Sequence, residues 1–278
     1  MRKKPRLHPA VNVTISTLNA GEVKHGTFSS WNDLNRYDII GEDHKGGCQH
    51  VLRGGTIELL TGPRVAEGRS QIVDAFLTTE NYKDSNWLLM IDSDMTFEAD
   101  ILCQLLGHAY NGNKKADANN PECFVIGALC FAGGRSRMYP TLYRGATRIA
   151  FDGSEQIVPE PIEDYPRNEL VKVMGTGAAF LLVHRKVLMH MKLPHPDGFG
   201  TDMHGQPNPH PWFVEGLSKG VQFGEDIAFC MRANALGYGV YVHTGVQTGH
   251  LKTLELNEEL WDEYNERNKP KKKELKLP

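Results

Sequence analysis

Trp87-Leu88-Leu89-Met90-Ile91-Asp92-Ser93-Asp94 is the stretch around which the rest of the chain organises. Trp87 to Ile91 is an unbroken apolar run of strand length, too short to be read as a helix. Two carboxylates follow, with only Ser93 between them. In the turn that leaves a strand, side chains two residues apart can converge on one point. Two converging negative charges away from bulk water are costly unless a cation or a proton lies between them. A hard, oxygen-loving divalent ion such as Mg2+ or Mn2+ meets that demand. The plainer alternative is a solvated turn in which Asp94 caps the helix that follows.

On the N-terminal side, Val11, Val13 and Ile15 alternate with polar residues, which predicts a first strand ending near Thr17. Leu18-Asn19-Ala20-Gly21 reads as a turn, and Ser29 or Ser30 as the cap of a short helix containing Trp31 and Leu34. Asp38 to Gly55 reads as a loop and Ile57 to Leu60 as a second strand. The spacing of Ile72, Val73, Phe76 and Leu77 predicts a helix from about Ala66 to Thr79 that leads into the Trp87 strand. Past the carboxylates, Ile101, Leu102, Leu105, Leu106 and Ala109 form another helical stripe. Strand and helix thus alternate three times. This predicts an α/β fold with a mostly parallel central sheet flanked by helices. Such sheets bind ligands beyond the carboxyl ends of their strands, where Thr17, Asn19, Asp92 and Asp94 would gather.

The second half is less regular. Phe124 to Phe131 is a further buried strand, and Tyr139 to Asn168 is a set of short β-prone pieces interrupted by prolines. Leu170 to Met174 and Ala178 to Val183 are two strands hinged on Gly175-Thr176-Gly177. Glycine there marks either a close approach of backbone to ligand or a bulge that only curves the sheet. Arg185 to Met191 is a short helix, and Pro194 to Pro211 is a proline-rich loop of the length that usually carries function. Gly224-Glu225-Asp226 opens a helix that Gly237 ends; Val240 to Val242 is a last strand, followed by Gly249-His250. Residues 251–278 form a C-terminal helix and basic tail, with Lys269 to Lys273 as a solvated arm.

Composition narrows the classes. The chain has 278 residues, 40% hydrophobic and 23% charged, with a formal net charge of -3, so nucleic acid is not an expected partner. No apolar run approaches the roughly 20 residues needed to span a bilayer. The basic N-terminus lacks the apolar core of a secretory signal. Five cysteines without CxxC pairing point to free thiols in a reducing cytoplasm.

Four motifs then stand in order: Leu88 to Met95, Gly175-Thr176-Gly177-Ala178, Gly224-Glu225-Asp226-Ile227-Ala228-Phe229-Cys230-Met231-Arg232, and Gly249-His250. The series resembles that of the GT-A fold glycosyltransferases, in particular small soluble members similar to family 2 that occur in bacteria and their phages. The resemblance covers about Val11 to His250. It implies a single GT-A, Rossmann-like domain over residues 1–250, with a nucleotide-sugar half at about 10–130 and an acceptor half at about 131–250. It implies transfer of a sugar from a nucleotide-diphosphate donor, a UDP-sugar first or a GDP-sugar next, to a glycan, protein or other hydroxyl acceptor. The location implied is cytoplasmic, in the host if the chain is phage-encoded.

Residue by residue, the resemblance makes Asp94 the ligand of a Mn2+ or Mg2+ ion. His250 completes the metal site, and Asp92 contacts the donor or reaches the metal through water. Thr17 and Asn19 fall in the nucleotide pocket, with Gly175 and Gly177 beside the donor. Arg69, in Gly68-Arg69-Ser70, resembles the arginine of the family's A-R-N pattern and is placed at base or phosphate. Glu225 and Asp226 supply the catalytic carboxylate. A helix N-terminus lowers a carboxylate pKa, so this role needs a compensating environment such as desolvation; simple capping is the plainer alternative. Trp212 and Phe213 suit stacking on an acceptor sugar, or else anchor their loop.

Two rivals remain at this point. Asp92-Ser93-Asp94-Met95-Thr96 also fits the first motif of haloacid-dehalogenase-like phosphohydrolases, with Asp92 as nucleophile. That motif normally opens its domain, and here a long α/β stretch precedes it. The other rival is a non-catalytic nucleotide-sugar-binding protein that keeps only the pocket.

Overall fold

The computed structural model describes residues 10–19, 21–40, 50–60, 64–111, 117–134, 137–193, 212–218, 220–252 and 258. The first half runs β1 (Val13–Asn19), α1 (His25–Ile40), β2 (Thr56–Leu60), α2 (Val65–Thr78), β3 (Trp87–Asp92), β4 (Met95–Phe97) and α3 (Ile101–Ala109). The second runs β5 (Val125–Leu129), β6 (Phe131–Gly133), β7 (Met138–Pro140), β8 (Leu142–Ile149), β9 (Glu155–Pro161), β10 (Leu170–Val173), β11 (Gly175–Thr176) and β12 (Phe180–His184). It continues with α4 (Arg185–Lys192), β13 (Gly216–Ser218), β14 (Val221–Phe223), α5 (Glu225–Ala235) and β15 (Val240–His250).

The central sheet has the order β10-β15-β5-β12-β3-β1-β2, with β4 paired to β15. β1 is parallel to β2 and β3, and β15 is parallel to β5. β12 runs against both β3 and β5, and β10 and β4 against β15, so the sheet is mostly parallel with three reversed strands. β3 lies at its centre and shows why an unalternating apolar run was needed. Trp87, Leu89 and Ile91 join one core with Leu34 of α1 and Ile101, Leu102, Leu105 and Leu106 of α3. Leu88 and Met90 join the other with Ile72, Val73 and Phe76 of α2, Val187 of α4 and Phe229 of α5. A strand covered by helices on both faces must be apolar at every position. Each such side chain contributes about 1.5–3 kcal/mol by leaving water.

Several expectations are corrected. α1 begins at His25, not at a Ser29 or Ser30 cap, and takes in Asp38 from the expected loop. Ser30 Oγ accepts the backbone N–H of Phe97, and the Asp38 carboxylate accepts those of Val51 and Leu52, so these polar residues serve neighbours. Between β8 and β9 there is one hairpin where short pieces were expected; its prolines sit on β9, an edge strand that does not need their missing N–H. β15 has 11 residues and absorbs Gly249-His250. Its polar members are satisfied across the fold: Thr244 Oγ1 donates to Pro166 O, and Thr248 Oγ1 meets Cys130 Sγ. A register shift between His243 and Gln247 carries it from β5 on to β4.

Cys123, Cys130 and Cys230 are free, but Cys103 is disulfide-bonded. That corrects the expectation of five free thiols and removes its argument for a reducing compartment. The 194–211 loop lies outside the described residues, as does the tail apart from Leu251, Lys252 and Glu258. No described helix is long and apolar enough to cross a membrane.

Candidate active site

Leu18 of β1 is in register with Asp92 of β3, so the carboxyl ends of these strands are adjacent. The turn beyond β3 is tied to the β1–α1 connection by Lys24 N–H donating to Ser93 O at 2.9 Å. Each of the two carboxylates of this turn has its own protein partners.

Asp92 faces Arg69. Arg69 Nη2 donates to Asp92 Oδ1 and Oδ2 at 3.0 and 2.9 Å, and Nη1 donates to Glu225 Oε1 at 2.6 Å. Arg69 is on the inner face of α2 and only 6% exposed. Burial pulls its pKa down, but the charges of Asp92 and Glu225 more than offset this, and the net shift is upward. The guanidinium is thus committed to two carboxylates, where the resemblance had placed it at base or phosphate.

Asp94 faces His250 and Lys252. β4 separates Asp94 from α3, so it does not cap that helix. Its Oδ2 lies 2.9 Å from His250 Nε2 and 3.6 Å from Lys252 Nζ. The backbone closes the same contact, with Leu251 N–H donating to Asp94 O at 2.8 Å. His250 Nδ1 is 3.0 Å from Phe131 O, which only accepts, so the Nδ1 position carries hydrogen. Neutral His250 therefore turns its Nε2 lone pair toward an anionic oxygen, and that arrangement needs a proton or a metal ion between them. The bond to Asp94 accordingly raises the His250 pKa, against the effect of burial. For Asp94, burial raises the pKa, but the hydrogen bond and charge of His250, with Lys252, carry it below the ordinary carboxylate value. One nitrogen and one oxygen donor, with the second imidazole nitrogen anchored to a carbonyl, suit a hard or borderline divalent ion. Among the described residues no group of three or more His, Cys, Asp or Glu side chains forms a metal cluster.

Asp226 occupies the first turn of α5. Gly224 is the N-cap and makes no side-chain capping bond. Asp226 Oδ1 accepts from Ile227 N–H at 2.7 Å. Its Oδ2 lies 3.7 Å from where a Cβ on Gly177 would stand. Desolvation raises the Asp226 pKa, Glu225 adds to the rise, and Arg69 opposes it. The compensating environment that a helix N-terminus requires of a base is therefore present. Gly175 serves packing instead. A Cβ there would meet Ile227 Cδ1 at 3.0 Å, so its absence lets α5 pack on β11.

Other anticipated residues sit elsewhere. Thr17 is wholly buried within the sheet, its hydroxyl unpartnered, and presents no surface to a nucleotide. Asn19 lies at the strand end, where its Oδ1 accepts from Gly21 N–H. Trp212 and Phe213 are core residues and no platform for a sugar. Trp212 Nε1 donates to Leu188 O, Phe213 stacks on Phe229, and Ser70 Oγ exchanges hydrogen bonds with the Phe213 backbone. Lys252 was not anticipated, since it reads as the start of a charged tail. Tyr143 was missed as well: its hydroxyl pKa is pushed up to about 12 by burial, with Tyr139 and Asp226 adding to the rise.

No protein-family model matches the chain, and no curated protein does. Among solved structures it is similar to A197 from STIV, at a TM-score of 0.50 and 16% identity over 87% of each chain. It is also similar to GalNAc-T7, solved with UDP, GalNAc and Mn2+, at a TM-score of 0.48 and 11% identity over 88% of this chain and 44% of that one. A third is a glycosyltransferase involved in glycosylation of the major capsid of PBCV-1, at a TM-score of 0.31 and 13% identity over 92% and 99%. At such identities the likeness to A197 bears on the fold alone, an α/β fold with a mostly parallel central sheet flanked by helices.

Proposed function

We propose that the chain is a metal-dependent glycosyltransferase that moves a sugar from a nucleotide-diphosphate donor to an acceptor hydroxyl. The observation that carries this reading is one site with two kinds of carboxylate. Asp94 is paired with exchangeable partners, His250 and Lys252, and Asp226 is desolvated with a raised pKa. Asp94 and His250 would hold Mn2+ or Mg2+, which when bound stabilises negative charge growing on the diphosphate leaving group. Asp226 accepts the proton of the acceptor hydroxyl as its oxygen bonds to the anomeric carbon and the bond to the diphosphate breaks. The raised pKa makes the carboxylate a better proton acceptor. Glu225, held by Arg69, is a neighbour in the first turn of α5 and not the proton acceptor.

The phosphohydrolase alternative needs Asp92 free to attack phosphorus, and both Asp92 oxygens instead accept from buried Arg69. Turnover of p-nitrophenyl phosphate that Asp92→Asn abolishes would restore it. The direct test is calorimetric titration of UDP- and GDP-sugars with and without Mn2+. Asp94→Ala is expected to abolish the Mn2+-dependent part of donor binding. Unchanged metal-dependent affinity in that variant would overturn the metal assignment.

A further inference from the structure

We infer that Arg69 is a positioning residue, whose guanidinium spans from the end of β3 to the first turn of α5 and so sets the catalytic helix against the donor side of the site. This rests on the function proposed above, which gives Asp226 its role.

The geometry has three parts. Arg69, Asp92 and Glu225 belong to α2, β3 and α5, and they join contacts 23 and 156 residues apart in sequence. One Nη takes both oxygens of Asp92 while the other takes Glu225, a spread that a planar fork achieves and a lysine point charge does not. Finally, α5 has no side-chain cap, so its first turn is fastened at Glu225 by Arg69. Asp226 is the next residue, and its position opposite Gly177 follows from that fastening.

Arg69 also sets the charge around Asp226. The groups that bear on Asp226 are Glu225 and Cys230 on α5, Tyr143 on β8 and Arg69 on α2. Arg69 is the positive one among them. Without it, Asp92, Glu225 and Asp226 lose their shared counter-charge, and the Asp226 pKa moves further up.

The test compares Arg69→Lys and Arg69→Met with wild type in three measurements. These are donor Kd by calorimetry with Mn2+, transfer rate at saturating donor, and titration of the Asp226 carboxyl by carbon NMR, assigned with Asp226→Asn. In Arg69→Lys, transfer is expected to fall 30-fold or more while donor Kd stays within about threefold, because the charge remains but the span is lost. In Arg69→Met, the Asp226 titration is expected to move to higher pH, and with it the acid limb of the transfer profile. A loss of donor affinity matching the loss of transfer would make Arg69 a donor contact and overturn the inference. So would a folded Arg69→Met protein with an unmoved Asp226 titration, or an Arg69→Lys enzyme of wild-type rate. If Arg69→Met does not fold, Arg69→Lys decides through its rate and Kd. If wild type turns over no nucleotide sugar, the proposed function fails, and the NMR titration still decides whether Arg69 governs Asp226.

Discussion

The two ends of β3 are built from similar chemistry and do opposite things. At its start, Trp87 stands opposite His184, packs edge-on against it, and donates from Nε1 to Tyr110 Oη at 3.0 Å. Tyr110 Oη in turn donates to Ala118 O at 2.7 Å. Burial pushes the Tyr110 hydroxyl up to about 12 and the His184 imidazole down to about 4. At the other end, Asp92 and Asp94 meet Arg69, His250 and Lys252, and there Arg69, Asp94 and His250 have displaced pKa values. A perturbed pKa therefore does not locate function by itself in this molecule. What differs is whether the partner can be exchanged. The groups at the first end are sealed by carbonyls and rings, whereas Asp94 and its partners are open to solvent and ions.

That contrast breaks first at His184. Its pKa is lower in the folded state than the ordinary value of 6.5, so the unfolded chain binds more protons between about pH 6.5 and 4. The stabilisation is fully present above pH 6.5 and is lost as pH falls through that window. A shift of this size is worth roughly 3 kcal/mol. Urea unfolding followed from pH 7 to pH 4 should show this slope, and His184→Gln should flatten it. An unflattened slope in His184→Gln would mean that the sealed end does not titrate and that acid sensitivity originates elsewhere.

How far this contrast was readable without coordinates follows from what each residue answers to. β3, α2, α3 and α5 were legible because their apolar periodicity answers to burial, which a local pattern records. Asp92, Asp94, Glu225 and Asp226 were legible because acidic pairs at element ends are rare enough to notice. Of their partners, His250 and Arg69 stood out only through the motif resemblance, and Lys252 and the ion pairs of Arg69 not at all. Arg69 lies on a helix face that periodicity treats as unremarkable, and its ion pairs join distant segments. Trp212 follows a proline-rich loop and reads as exposed, yet a single carbonyl, Leu188 O, satisfies its indole and lets the core take it. The length of β15 was hidden for the same reason, since Thr244 and Thr248 find their partners only once the chain has folded.

The exchangeable end is tested more sharply by Asp226→Asn. Transfer should fall by two or more orders of magnitude, about 2.7 kcal/mol or more in the barrier, while donor Kd changes little. Stability should move the other way. Because the folded pKa of Asp226 is raised, the folded state holds its proton more tightly, and charging the group as pH rises costs stability. At pH 7 the neutral amide removes that cost, so the variant is expected to unfold at an equal or slightly higher temperature. An inactive variant that was also less stable would suggest that Asp226 supports the fold rather than the reaction.

The smallest effect belongs to Lys252, and its smallness is the point. Lys252 Nζ is 3.6 Å from Asp94 Oδ2 with a side chain 53% exposed, an ion pair of the kind typically worth under about 1 kcal/mol. Lys252→Ala should therefore leave the thermal midpoint almost unchanged. It should nonetheless strengthen Mn2+ binding a few-fold at low salt, because a positive charge beside the incoming ion has been removed. That gain should shrink as ionic strength rises and the Debye length falls below about 10 Å. Calorimetry of Mn2+ into both proteins, at low salt and at high salt, separates the outcomes. Weaker Mn2+ binding in Lys252→Ala would instead show that the lysine helps to hold the Asp94 end in shape. The two ends of β3 would then be alike in the one respect in which they are said to differ.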